Sequence, residues 1–163
     1  MLVDTHAHLY LDRFDDDRDA VLQRARDADV QTIVLPAIDV PSIQQAVDLS
    51  DAHDGLYAMT ALHPSETKEA TDADFDAVRA WCDHPNVVAV GESGLDYYWD
   101  RSFDAKQQAF FRRHIRLAID ADLPLIIHNR DATDDVLRIL EEERDRSGAP
   151  ERLRGILHCF VDP

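Results

Sequence analysis

Short apolar runs rich in valine and isoleucine alternate along this chain with longer amphipathic stretches. The short runs are Leu2–Val3, leading into Asp4-Thr5-His6-Ala7-His8, then Thr32–Ile38, Leu56–Leu62, Val87–Val90, Leu125–Ile127 and Gly155–Leu157. Runs of this length that are apolar throughout predict buried strands. Between them lie stretches about Asp16–Ala28, Pro41–Ala52, Asp72–Cys82, Asp104–Ala121 and Thr133–Arg146, whose patterning predicts helices. Pro41 suits a first helical turn after Asp39 or Val40, and Gly148 with Pro150 closes the last helix. Strands alternating with helices, six and five in this count, predict right-handed βαβ units and a parallel sheet.

The 163 residues suffice for one domain with a sizeable core, and 45% hydrophobic content is that of a globular protein. No apolar run approaches the ~20 residues that span a bilayer. The N-terminus carries no basic segment followed by a long apolar one, so no secretory signal is expected. Cys82 and Cys159 make no disulfide framework; both thiols are expected to be buried rather than reactive, and the location cytoplasmic. A monomer away from membranes is expected.

Charge changes the picture more. Asp and Glu number 33 against 17 Lys and Arg, a formal net of −16. Aspartate dominates the acids, and Lys68 and Lys106 are the only lysines. This surface resembles that of proteins from salt-loving organisms, where salt screens self-repulsion. A global basic footprint for nucleic acid is absent, so a polyanionic substrate must be held by local cations or metal.

The predicted strands carry their chemistry at one end. Asp4, His6 and His8 alternate, and on a strand such spacing turns them to one face. His63 follows the third strand, Glu92 the fourth, His128 the fifth and His158 the sixth. In α/β barrels the C-terminal ends of the strands are where active sites assemble. Four histidines (His6, His8, His128 and His158) and one glutamate exceed the needs of a single zinc-like site, so two metals sharing Glu92 fit better. Two adjacent metals clamp the attacking and leaving oxygens of a phosphoryl displacement. His53, His84 and His114 lie within or near the ends of predicted helices, and no functional role is assigned to them.

The ordered segments Val3-Asp4-Thr5-His6-Ala7-His8-Leu9, Leu62-His63-Pro64, Gly91-Glu92-Ser93-Gly94-Leu95-Asp96-Tyr97, Pro124-Leu125-Ile126-Ile127-His128-Asn129-Arg130-Asp131-Ala132 and His158-Cys159-Phe160 span nearly the whole chain. Together they resemble the TatD-related metal-dependent deoxyribonucleases of the amidohydrolase superfamily. The resemblance implies a TIM-type (β/α)8 barrel and hydrolysis of DNA phosphodiester bonds, often as an exonuclease working from a 3′ end on single-stranded DNA. It implies that His6 and His8 hold one metal, that Glu92 lies between metals and is catalytic, and that His128 and His158 hold the second. His63 and Arg130 are expected to contact substrate. Asp4 is expected behind the ligands, hydrogen-bonded to a ligand histidine. Magnesium or manganese is the implied activator, while imidazole-rich ligation also suits zinc.

Two departures stand out. Val161-Asp162-Pro163 replaces the small residue and glycine that usually follow His-Cys-Phe, and no later strand supplies a further metal-binding aspartate. A complete barrel needs roughly two or three more βα units. Residues 1–163 are therefore expected to form a single hydrolase domain truncated at its C-terminus, an incomplete barrel with impaired catalysis. The alternatives are hydrolysis of an ester, lactone or amide on the same barrel face, or a catalytically silent metal-binding fragment. Tyr97, Tyr98 and Trp99 are candidates for base stacking, and Arg112, Arg113 and Arg116 for phosphate contact or a solvated helix face.

Overall fold

The structure, a computed structural model, describes residues 1–158; the Cys159-Phe160 part of the last motif and the Val161-Asp162-Pro163 tail lie outside it. Six strands alternate with five helices: β1 (Leu2–Asp4), α1 (Arg18–Asp27), β2 (Val30–Leu35), α2 (Val40–Ala52), β3 (Leu56–Thr60), α3 (Asp72–Ala80), β4 (Val87–Asp96), α4 (Asp104–Ala121), β5 (Leu125–Arg130), α5 (Thr133–Arg146) and β6 (Gly155–His158). Every neighbouring pair is parallel, and the strand order follows the sequence from β1 to β6. A doubly wound sheet would reverse that order at a switch point. Right-handed crossovers that always step the same way put the helices on one face, and the sheet curls into a half-barrel.

The main core lies between sheet and helices. Leu35, Ala58, Leu125 and Ile127 of the strands meet Ile43, Phe75, Phe111, Ile115 and Ile139 of the helices. Burying each large side chain contributes roughly 1.5–3 kcal/mol. A smaller cluster of Met59, Ala89 and Ile126, with Val34 against it, is separate from that core.

Local chemistry fixes the helix starts. Asp39 accepts a hydrogen bond from the Ser42 amide at 2.9 Å, and Ser42 Oγ accepts from the Asp39 amide at 2.8 Å. This reciprocal pair caps α2, with Pro41 in its first turn; such caps contribute about 1 kcal/mol. Thr71 and Asp74 cap α3 in the same way. Helices α4 and α5 occupy the stretches that the apolar spacing predicts.

Three strands depart from expectation where the site is built. β1 stops at Asp4, so His6 and His8 lie in the irregular segment beyond it rather than on a strand. β4 runs to Asp96, past the predicted end at Val90, and β5 runs to Arg130. Glu92 and His128 are thus inside strands. The continuation was hidden because its inward side chains are polar: Glu92, Ser93 and Asp96 are all buried. Gly94, with φ +145°, makes the approach of β4 to β5 possible, since a Cβ there would stand 2.1 Å from the His128 carbonyl oxygen.

Candidate metal centre

Glu92 is 4% exposed, and its two carboxylate oxygens face different histidines. Oε2 lies 3.3 Å from His6 Nε2; Oε1 lies 2.9 Å from His128 Nδ1 and 3.8 Å from His158 Nε2. Potential ligand atoms converge in two groups that share this carboxylate. One is His6, His8 and Glu92, and the other is His63, Glu92 and His128, the atoms of each lying within 4.8 Å of one another. His158 stacks on His6, ring centroids 3.7 Å apart, beside both groups.

Burial would push the Glu92 carboxyl up, yet hydrogen bonds from His128 and His6 outweigh it and hold the group well below the usual carboxylate range. Desolvation dominates at His8, His158 and His63, whose pKa values fall, His63 to about 4. Three imidazoles are therefore neutral at pH 7. His128 differs: burial opposes its charge, but the carboxylates of Glu92 and Asp96 win and raise its pKa.

The outer contacts fix ring orientation. His128 Nε2 lies 3.0 Å from Asp96 Oδ2, so it donates there and leaves Nδ1 facing Glu92. His8 Nδ1 is hydrogen-bonded to the Tyr10 hydroxyl at 2.8 Å, leaving Nε2 as its open nitrogen. The Ser65 backbone amide donates to His63 Nδ1 at 3.2 Å. A backbone N–H cannot rotate away as a hydroxyl can, so the His63 proton sits on Nε2, 3.3 Å from His128 Nδ1. Behind His63, the fully buried His114 accepts from the Leu62 amide at 3.1 Å and donates to the Phe110 carbonyl at 2.8 Å. His114 thereby anchors the backbone that delivers His63.

A buried carboxylate ringed by imidazoles is a donor set that fits divalent cations. His6 Nδ1 is also buried without a hydrogen-bond partner. Asp4 is placed otherwise than expected: its carboxylate accepts from the His6 backbone amide at 3.0 Å and is exposed, because β1 ends there and the chain turns. Arg130 stands at the end of β5, paired in register with Asp96. Arg112 and Arg116 are tied to Glu143 of α5, and Arg113 pairs with Asp72 over the Phe75 ring, so these arginines brace the helices. Cys82 is half-buried, and burial pushes its thiol up to about 11.

Asp96 and Tyr10 were missed as site residues. Both carry the same faint signal, alternation with a candidate ligand: Asp96 falls four residues after Glu92 on one strand, and Tyr10 two after His8.

The family described as TatD related DNase matches residues 3–163. This chain belongs to the TatD family. It is 44% identical over 161 residues to the metal-dependent hydrolase YabD of Bacillus subtilis, covering 99% of this chain and 61% of that protein. It is 31% identical to the 3′-5′ ssDNA/RNA exonuclease TatD of Klebsiella pneumoniae, covering 98% of this chain and 59% of that one. The crystal structure of the TatD homologue YJJV from Escherichia coli K12 superposes with a TM-score of 0.88 at 30% identity, over 99% of this chain and 61% of that chain. The chain thus spans about three fifths of the length of the relatives it matches. Among the described residues, no helix is long and apolar enough to cross a membrane.

Proposed function

We propose that this TatD-family chain hydrolyses phosphodiester bonds in nucleic acid, preferentially single-stranded DNA near a 3′ end, using two divalent cations held around Glu92. The observation that carries this reading is the division of the Glu92 carboxylate, Oε2 toward His6 and Oε1 toward His128. His6 and His8 would hold one cation and His128 and His158 the other, with Glu92 serving both. Magnesium or manganese would supply Lewis acidity toward a phosphoryl oxygen and lower the pKa of water.

The chain's own groups do the rest. Asp96 keeps a proton on His128 Nε2 and so frees Nδ1 for the centre. The Ser65 amide keeps the His63 proton on Nε2, the nitrogen beside His128, and there it would donate to a phosphate oxygen. Its low pKa keeps that group neutral at pH 7. Arg130 makes no ion pair among the described residues, and its guanidinium, which lies over the Tyr98 ring, would offer a positive charge to an anionic strand. These positive and donor groups are local, as a net charge of −16 requires.

The test is nucleotide release from a 3′-labelled single-stranded oligonucleotide with magnesium or manganese. Release that chelator and Glu92→Gln both reduce to background supports the reading. No release, or release that survives both treatments, contradicts it.

A further inference from the structure

Beyond Asp96 the chain runs Tyr97-Tyr98-Trp99, and two of these rings are left in the open beside the centre. Trp99 is 73% exposed and Tyr98 54%. Their rings stand edge to face, centroids 4.7 Å apart. The Arg130 guanidinium lies 4.0 Å from the Tyr98 ring centroid and 5.2 Å from that of Trp99. Arg130 follows His128 by two residues on β5, which places it on the same face of the strand, roughly 6.6 Å farther along.

The segment is tethered. The Tyr97 hydroxyl bonds Asp135 at 2.8 Å, the Tyr97 amide donates to the Arg130 carbonyl at 2.9 Å, and the Tyr98 amide donates to Asp96 Oδ1 at 3.0 Å. Tyr97 itself is buried, while Tyr98 and Trp99 are displayed outside the core. A single exposed ring is ordinary, but exposed apolar rings that lie together mark interaction sites. Here two rings stand together on a tethered turn, with the Arg130 guanidinium over them.

We propose that Tyr98 and Trp99 form a stacking platform for an unpaired nucleobase of the strand bound at the Glu92 centre, with Arg130 stiffening it by cation–π contact. The proposal deepens the nuclease reading and rests on it for the ligand class. Stacking on an aromatic face is indifferent to base identity, so the platform selects single strands without selecting sequence. A duplex, whose bases are already stacked on one another, cannot fill it without fraying.

The experiment compares binding of a phosphorothioate-linked thymidine oligonucleotide with that of an abasic oligonucleotide of the same length and backbone, in magnesium. Affinity and tryptophan fluorescence are read for the wild-type chain, Trp99→Phe and Trp99→Ala. The wild type is expected to prefer the base-bearing strand by at least about fivefold, the low end of one stacking contact. Trp99→Ala should abolish that preference, and Trp99→Phe should retain most of it. An equal preference in wild type and Trp99→Ala overturns the platform, as does a wild type that binds both strands equally or neither. Because the strands resist cleavage, absence of nucleotide release in the separate activity assay leaves this comparison intact. A lost base preference beside continued release would overturn the platform alone.

Discussion

The Nε2 atom of His128 lies 3.0 Å from Oδ2 of Asp96. The opposite ring nitrogen lies 2.9 Å from Glu92 Oε1, so one imidazole is held between two buried carboxylates. Such an outer carboxylate fixes the tautomer of a ligand histidine and raises its basicity, and its loss typically costs about 10–100-fold in metal affinity. Asp96 Oδ1 also receives the Tyr98 amide at 3.0 Å. An asparagine cannot offer acceptor oxygens in both directions. Asp96→Asn is therefore expected to weaken manganese binding by at least about tenfold, read by calorimetric titration. Unchanged affinity would remove Asp96 from the site.

How the sequence disclosed this site differs from residue to residue. The order of strands and helices was readable because apolar runs and amphipathic spacing report burial directly, and α4 and α5 follow that pattern end to end. Asp96 was not readable as a partner of His128, since the hydrophobic signal of β4 stops at Val90 while the strand continues on polar, inward-facing residues. The placement of His6 and His8 past the end of β1 was hidden for the opposite reason. Alternation suggested a strand, but parallel pairing with β2 ends at Asp4. Asp4 turns to the backbone there, and Tyr10 takes the place beside the His8 ring.

His114 makes stability depend on pH. Burial lowers its pKa to about 4 from 6.5, and both ring nitrogens are engaged in the neutral form. Between those values the unfolded chain binds the proton and the folded one does not. This contribution is complete above about pH 6.5 and is lost as pH falls toward 4, to a limit of about 3 kcal/mol. Urea unfolding at pH 7, 5.5 and 4.5 should show the decline, and His114→Gln should be less stable at pH 7 with a shallower decline. Parallel curves for the two proteins would contradict the assignment.

Glu143 meets three arginines from two helices, and one of them, Arg112, also pairs with Glu142. Its buried carboxylate accepts from Arg112, Arg116 and Arg146, the Arg116 hydrogen bonds holding it down to about 2. Removing it leaves Arg112 half-buried and with one fewer partner. Glu143→Gln is expected to lower stability by about 1–3 kcal/mol, below the range for fully buried pairs because the arginines are partly solvated. Chemical denaturation checks this, and a change under 0.5 kcal/mol would mean that the cluster does not brace α4 against α5.

The net charge of −16 predicts the response to salt. Raising ionic strength from about 0.1 M to 1 M shortens the screening length from ~10 Å to ~3 Å, which relieves long-range repulsion more than it weakens close ion pairs. The thermal midpoint should rise by several degrees with potassium chloride over that range. A falling midpoint would show that paired charges outweigh the excess of acids.

The sharing of Glu92 between two histidine groups is the centre of this account, and manganese titration measures it most directly. The wild-type chain should bind two manganese ions, and Glu92→Gln, which keeps the size of the side chain but not its charge, should lose tight binding of both. Retention of both ions by Glu92→Gln, or a single ion in the wild type, would contradict a carboxylate shared between two cations.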